Sequence, residues 1–171
     1  MFGLIRATLV MSLLWALPVH AKSIFPTLTS EDLNGKTHTL PSGLPGDPTI
    51  VFIAYKQRQQ AAVNTWINAL GLDPSRGAEF VELPVVGSGA RLMKSVIDNG
   101  MRSGIVDRNM RARTITIYES AASVNAPLGF SGRNQIRVLI VTQSGEVLWS
   151  TSGPATSAQV TELQAVFTAA Q

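Results

Sequence analysis

The chain has 171 residues, of which 14 are Lys or Arg, 11 are Asp or Glu, two are His and none is Cys. The lack of cysteine excludes thiolate catalysis, disulfide bonds and zinc sites built on cysteine. The 45% apolar content excludes a disordered or fibrous chain, and the near-balance of charge argues against a strongly basic nucleic-acid binder. A chain of this length can form one compact domain with a sizeable core.

The first 21 residues have the pattern of a secretory signal peptide. Arg6 supplies a positive charge, residues 7–17 are uncharged and mostly apolar, and Val19-His20-Ala21 ends in a small residue. The apolar run is short for a membrane span, which needs about 20 residues. We predict cleavage after Ala21 and export of residues 22–171 as one domain, to the periplasm or out of the cell. The alternative is an uncleaved signal that tethers the protein to the inner membrane.

Predicted strands and helices alternate along the rest of the chain. Asn34-Gly35 lies between two short alternating segments and predicts a hairpin whose turn residues both need positive φ. The apolar run 49–55 predicts a strand covered on both faces. Residues 57–70 have the 3.6-residue period of a helix that a glycine ends. Residues 79–86 predict a second strand, with Pro84 at its end or at a sheet edge.

The second half of the chain continues this alternation. Residues 90–101 have helical spacing. The side chains predicted to face inward from this helix are Leu92, Met93, Val96, Ile97 and Met101. Residues 114–118 predict a third strand, residues 121–126 a short helix, residues 136–150 a hairpin and residues 157–170 a last helix. This order predicts an α/β sandwich with a mixed central sheet flanked by helices.

The order of elements resembles the thioredoxin-like fold, in the version with an N-terminal hairpin found in peroxiredoxins and secreted thiol oxidoreductases. Residues 32–36 are similar to their hairpin, residues 50–55 to the strand that leads to their active site, and residues 136–149 to their last hairpin. The resemblance implies that Gln57 and Gln60 stand where the two active-site cysteines belong. Neither side chain can attack a disulfide or a peroxide, because that step requires a thiolate.

A second departure from those families concerns the cis-proline that precedes their penultimate strand. No proline occurs between Pro127 and Pro154, and residues 135–137 fill that place. A narrower similarity joins Trp149–Thr156 (WSTSGPAT) and residues 60–66 to the mitochondrial ATP-synthase assembly factors, which are built on the same cysteine-poor fold. It implies an assembly or chaperone-type role.

We predict that the former active-site rim of this fold serves as a binding surface for a protein or peptide, without a cofactor or a metal. Its residues are Lys56, Gln57, Arg58, Gln60 and Arg137. Amide side chains and exposed helix N–H groups suit an extended peptide or a carboxylate.

Residues 91–137 form a basic stretch, with eight Lys or Arg against three Asp or Glu. This excess can steer an acidic partner or an anionic membrane surface, and the alternative is a solvated face with ordinary ion pairs. The candidate interface residues are Trp149, Arg102, Arg108, Arg111 and Arg113. Interleaved aromatic residues that would stack on nucleic acid bases are missing. We predict that Trp66 and Trp149 belong to the core, with an interface role for Trp149 as the alternative.

The competing hypothesis is a small periplasmic enzyme with cysteine-free conjugation or hydrolysis chemistry. Its base would have to be His38 or a buried carboxylate, since His38 is the one histidine beyond the predicted signal peptide. No nucleophile-elbow motif occurs, so we interpret His38 as a solvated hairpin residue. Gly87-Ser-Gly89 resembles an anion-binding turn beside Arg91, but Leu92 replaces the third glycine of the dinucleotide motif, which favours a simple turn.

Overall fold

The computed structural model describes residues 23–77 and 79–171. The predicted signal peptide, with its cleavage site after Ala21, lies outside the described residues. Within them, no helix is long and apolar enough to cross a membrane.

The N-terminal hairpin is confirmed, although its turn differs from the predicted one. Strands β1 (Leu28–Glu31) and β2 (Thr37–Leu40) pair antiparallel. Gly35 has a φ of 87°, whereas no described residue other than glycine has a positive φ, so Asn34 is not left-handed. The Asp32 side chain instead orders a longer turn, because its Oδ1 accepts the backbone N–H groups of Asn34 at 2.8 Å and Lys36 at 3.0 Å.

The central sheet contains the predicted strands in mixed orientation. Its order is β4 (Phe80–Pro84), β3 (Thr49–Ala54), β5 (Arg137–Val141) and β6 (Val147–Ser152). Strand β3 is parallel to β4 and antiparallel to β5, and β5 is antiparallel to β6. Every residue of β5 and all but the last of β3 are buried, as expected for strands covered on both faces.

Helices cover one face of the sheet. Helix α1 (Gln60–Leu70), preceded by a 3₁₀ turn at Gln57–Gln59, and helix α5 (Ser157–Ala169) pack there, as predicted. Gly71 ends α1 in a left-handed conformation, with a φ of 62°. The fully enclosed side chains of this layer are Phe52, Trp66, Phe80, Ile136, Val138 and Ile140. The hairpin and the short helix α4 (Ala121–Asn125) cover the opposite face.

The predicted third strand is replaced by an extended, buried segment. Residues 114–118 form isolated parallel bridges to β4 and its extension, Glu82 with Thr114 and Val85 with Ile117. Ile115 also bridges Asp32 of the hairpin turn. Because the segment alternates between two partners, no continuous ladder develops, and it joins the hairpin to the edge of the central sheet.

The predicted orientation of the second helix is wrong. Residues 88–93 form a 3₁₀ helix, and α2 (Lys94–Gly104) and α3 (Arg108–Arg113) follow. The side chains of Leu92, Met93 and Val96 are 98%, 55% and 61% exposed, while Ile97 and Met101 are half-buried. Asp98 is the buried residue of α2, and it accepts hydrogen bonds from the Tyr118 hydroxyl and from Lys94 of the same helix. The inward face of this helix is therefore partly polar.

Candidate functional site

The turn at the carboxyl end of β3 is fastened by Gln59. Its buried Oε1 accepts the backbone N–H groups of Tyr55 at 2.8 Å and Lys56 at 3.2 Å. Its Nε2 donates to the carbonyl of Arg133 at 3.1 Å. One amide therefore fixes the start of α1 and holds the loop that precedes β5 against it. Gln59 was not among the predicted site residues, and its one signal in the sequence was its position three residues after Lys56, as in a capping box.

A second contact joins α4 to the same loop. The Tyr55 hydroxyl donates a short hydrogen bond to Asn125 Oδ1, and Asn125 Nδ2 donates to the carbonyl of Gly132 at 2.8 Å. Burial raises the pKa of Tyr55, so its hydroxyl keeps its proton and acts as a donor. Neither residue was predicted as part of the site.

Among the residues that the structure describes, Arg137 is a buried cation without an acidic partner. It begins β5 and is 8% exposed. Its guanidinium donates to Ser152 Oγ and to the Ser131 carbonyl, each at 2.6 Å, and lies 4.6 Å from the centre of the Phe130 ring. Its buried Nε has no hydrogen-bond partner among the described residues. All of its contacts are neutral, although buried cations are usually paired with a carboxylate.

The structure brings three more cations to this place. Lys56 donates through Nζ to Asn134 Oδ1 at 3.1 Å, Arg58 is exposed on the 3₁₀ turn, and Arg133 is exposed on the loop that Gln59 binds. Within the described part of the chain, none of these side chains, nor Arg137, forms a salt bridge. We call the surface formed by residues 55–60 and 130–137 the basic rim.

The two glutamines that the resemblance places at the cysteine positions, Gln57 and Gln60, have different surroundings. Gln57 is exposed. Gln60 donates through Nε2 to Glu82 Oε2 at 3.1 Å and to Asn64 Oδ1 at 3.2 Å. Glu82 is buried on β4, burial raises its pKa, and its Oε1 has no partner among the described residues. Gln60 therefore covers a buried carboxyl group, and Gln57 is the freer of the two amides.

Three arginines of the basic stretch donate hydrogen bonds to backbone carbonyls of other segments. Arg102 Nε donates to the Leu33 carbonyl at 2.6 Å, and Arg111 Nε donates to the Ile105 carbonyl at 2.5 Å. The Arg113 guanidinium donates to the Phe80 carbonyl at 3.2 Å and also lies over the Phe80 ring. These groups connect α2 and α3 to the hairpin and to β4.

The other members of the stretch are differently placed. Arg108 is exposed, and its carbonyl accepts from Asn34 Nδ2 at 2.9 Å. Arg91 pairs with Glu119 and donates to the Tyr118 carbonyl at 3.0 Å. The Gly87-Ser-Gly89 segment leads into the 3₁₀ helix, with Gly87 at a φ of 90°.

The two tryptophans meet on the α1 side of the sheet. Trp66 is fully buried, as predicted, and Trp149 of β6 is half-buried against the same cluster. Their ring centres are 6.1 Å apart in an edge-to-face arrangement.

The prediction of a solvated histidine is wrong. The His38 side chain is 13% exposed, and its Nε2 lies 2.9 Å from Oδ2 of the buried Asp32. Both residues line a cavity that is also bounded by the loop before β3, the turn before β4 and helix α3. The lining of this cavity contains no Ser, Thr or Tyr hydroxyl. Ser30 is the cross-strand partner of His38, but its hydroxyl donates to the Thr116 carbonyl and is not among the residues that line the cavity. Among the described residues, no cluster of His, Cys, Asp and Glu is placed to hold a metal ion.

No family model and no curated protein matches the chain. Solved structures do. A candidate electron-transfer protein of Aquifex aeolicus has a TM-score of 0.60 at 12% identity, over 88% of this chain and 99% of that one. BsSco, of the Sco family of cytochrome c oxidase assembly proteins, has a TM-score of 0.59 at 10% identity, over 88% and 95%. The exposed lipoprotein thioredoxin Etrx1 of Streptococcus pneumoniae has a TM-score of 0.53 at 14% identity, over 84% and 99%.

Identities this low show the fold and no finer relationship. The similarity of residues 149–156 to the ATP-synthase assembly factors finds no support in these comparisons. The mixed sheet, the flanking helices and the N-terminal hairpin do agree with the solved structures. The chain therefore has the thioredoxin-like fold, and its sequence contains no cysteine.

Proposed function

We propose that this protein is a redox-inactive binding module that captures acidic segments of another protein at the basic rim. The observation that carries the proposal is the burial of Arg137 without a carboxylate partner among the described residues. Taking an arginine out of water costs several kcal/mol unless another charge or good hydrogen bonds compensate for it. A carboxylate brought by a partner would supply the missing negative charge.

The exposed cations support a ligand with several acidic groups. Lys56 and Arg58 belong to the β3–α1 turn, and Arg133 belongs to the loop before β5. Gln59 holds these two segments together, so the positive charges are spread over a preorganised surface. Clustered charge of one sign speeds the encounter with an oppositely charged partner and selects against basic ones. An extended acidic peptide could contact the cations of both segments with several carboxylates at once.

An assembly or chaperone-type role is consistent with this surface. The similar structure BsSco belongs to a family of cytochrome c oxidase assembly proteins. Thiol–disulfide exchange is unavailable to this chain, because its sequence contains no cysteine. In this role, the fold would position the basic rim at the carboxyl end of β3 for binding.

We also infer export, with cleavage after Ala21. This inference rests on the positive charge of Arg6, the short apolar run of residues 7–17 and the small residue Ala21. Intact-mass measurement of the protein recovered from its native host should give a chain that begins at Lys22. Full-length protein as the main species would contradict cleavage.

The binding proposal is tested with a fluorescent peptide rich in Glu and an otherwise identical peptide rich in Gln. Fluorescence anisotropy should show saturable binding of the acidic peptide, weakened by salt, and little binding of the neutral one. Replacing two exposed rim residues, Arg58→Glu with Arg133→Glu, should lower the affinity at least about tenfold. Arg76→Glu with Arg108→Glu is the matched control, because it also reverses two charges and both are exposed arginines outside the basic rim. Equal loss in the control and the rim variant would contradict the proposed site.

A further inference from the structure

A cavity of 340 Å³ lies away from the basic rim. Its walls include the loop before β3 and the turn before β4, so it lies toward the amino ends of two parallel strands whose carboxyl ends lead toward the rim. Its polar lining residues are Asp32, Lys36, His38, Asn109 and Arg113. Its apolar lining residues are Leu44, Pro45, Pro74, Val81, Ala112 and Ile115. The lining therefore combines charged and apolar residues.

The His38 ring is held in one orientation by the hairpin. Asp32 Oδ1 is occupied by the backbone N–H groups of Asn34 and Lys36, and Asp32 Oδ2 faces His38 Nε2 at 2.9 Å. Because a carboxylate accepts, Nε2 carries a proton, and Nδ1 is the ring nitrogen left for another partner. The negative charge of Asp32 is satisfied from three directions before any ligand enters.

Two cations on the cavity wall, Lys36 and Arg113, lack a carboxylate partner within salt-bridge distance among the described residues. Among the described residues, neither Lys36 nor Arg113 is in a salt bridge. Arg113 is held in place by the Phe80 carbonyl and lies 5.3 Å from the centre of the Phe80 ring, which fixes its position beside the cavity. The lining therefore offers Lys36, Arg113 and the His38 imidazole against the compensated carboxylate of Asp32. Glu79, which is not among the lining residues, also acts electrostatically on Arg113.

We propose that this cavity binds a small carboxylic acid with a compact apolar body. The carboxylate would lie beside Lys36, Arg113 and His38, and the apolar body against Leu44 and Val81. Guanidinium and ammonium groups recognise carboxylates by charge-assisted hydrogen bonds, and the volume is near the lower end of that of small-molecule sites. The lining residues include no hydroxyl or thiol side chain, and the role that we propose for this site is binding.

NMR of the His38 ring tests this site directly. The sequence contains two histidines, His20 and His38, and loss of a signal in His38→Gln identifies the correct one. Sodium hexanoate should shift the His38 ring resonances in a saturable manner. Its neutral analogue hexanamide should not shift them at the same concentrations, and inorganic phosphate, which has no apolar body, should bind more weakly than hexanoate.

The variant Lys36→Gln should weaken hexanoate binding about tenfold. It leaves the fold intact, because Lys36 contributes its backbone N–H to the Asp32 turn and its side chain is exposed. Lys56→Gln on the basic rim is the control and should leave the hexanoate affinity unchanged. Equal binding of hexanoate and hexanamide, phosphate binding as tight as hexanoate binding, or an unaltered affinity in Lys36→Gln would overturn the proposal.

Discussion

The indole Nε1 of Trp66 donates a hydrogen bond to the carbonyl oxygen of Gly153, at 2.9 Å. This bond joins the middle of α1 to the residue that follows β6, two elements far apart in the chain. Gly153 has a φ of 88°, a conformation that favours glycine, so the acceptor is held in place by its backbone. The Trp149 ring packs edge-to-face on Trp66 and closes the same corner.

Trp66→Ala should remove a large part of the stability. Trp66 is fully buried, and such truncations cost about 3–5 kcal/mol, a large share of the roughly 5–15 kcal/mol that domains possess. Trp66→Phe keeps most of the ring volume but loses the bond to Gly153, so its loss should be smaller. Urea denaturation gives both free energies of unfolding. A loss below about 1 kcal/mol for Trp66→Ala would contradict the packing described.

Trp149→Ala should lower the melting temperature less than Trp66→Ala, because Trp149 is only half-buried on the outer strand β6. We expect the affinity for the acidic peptide to be kept. Thermal melts and the anisotropy titration on the same sample check both statements. An unchanged melting temperature with loss of peptide binding would instead make Trp149 an interface residue.

Asp98 should stabilise the docking of α2. It accepts the Tyr118 hydroxyl and Lys94 Nζ, each at 2.7 Å, and Lys94 also contacts Glu31 at 3.0 Å. Burial, with the contact to Asp98, raises the pKa of Tyr118. Asp98→Ala leaves the buried hydroxyl and the ammonium group with one partner fewer, at a cost of about 1–3 kcal/mol.

The matched control for Asp98→Ala is Ser95→Ala, an exposed position on the same helix, which should change the stability by less than about 0.5 kcal/mol. Chemical denaturation of the two variants beside the wild type gives the comparison. Similar values for both variants would mean that the polar cluster contributes nothing to stability.

Glu82 should make the stability fall as pH rises. Because burial raises its pKa, the folded state holds this proton more tightly than the unfolded state. The stabilisation that the Glu82 proton provides is therefore complete below the pKa of Glu82 in the unfolded state. It is lost as pH rises through the pKa of Glu82 in the folded state. Glu82→Gln removes the ionisation while keeping an acceptor for Gln60.

Melting temperatures from about pH 4 to about pH 8 test this sign. Those of Glu82→Gln and the wild type should be close at the acid end, and the variant should become the more stable protein as pH rises. Glu162→Gln, at an exposed site on α5, should follow the wild type throughout. Parallel curves for Glu82→Gln and the wild type would show that Glu82 is not the group responsible.

The elements that could be predicted are those whose apolar residues decide their orientation. Strand β3 is buried on both faces, and α1 places Val63 and Trp66 inward at the expected spacing. In the helix predicted over residues 90–101 the pattern fails, because Asp98 is buried with hydrogen bonds and Leu92 is exposed. Periodicity detects apolar burial but gives no information about a polar network beneath a helix.

The same limit applies to the sites. Lys56, Arg58 and Arg137 could be placed at one end of the sheet from the order of elements. Gln59 could not, because its partner Arg133 is 74 positions away and is met only in the folded chain. The His38–Asp32 contact depends on how the hairpin turn is closed, which the side chain of Asp32 determines and the Asn-Gly pair alone does not.

The central claim is that acidic segments bind at the basic rim, and amide chemical-shift mapping tests it most directly. In a ¹⁵N-labelled sample titrated with the Glu-rich peptide, we predict that the shifted amides lie in residues 56–60 and 131–135. Most amides of the exposed surface of α5 should stay unshifted. Shifts centred on residues 102–113, or no shifts while the protein remains folded, would contradict the claim.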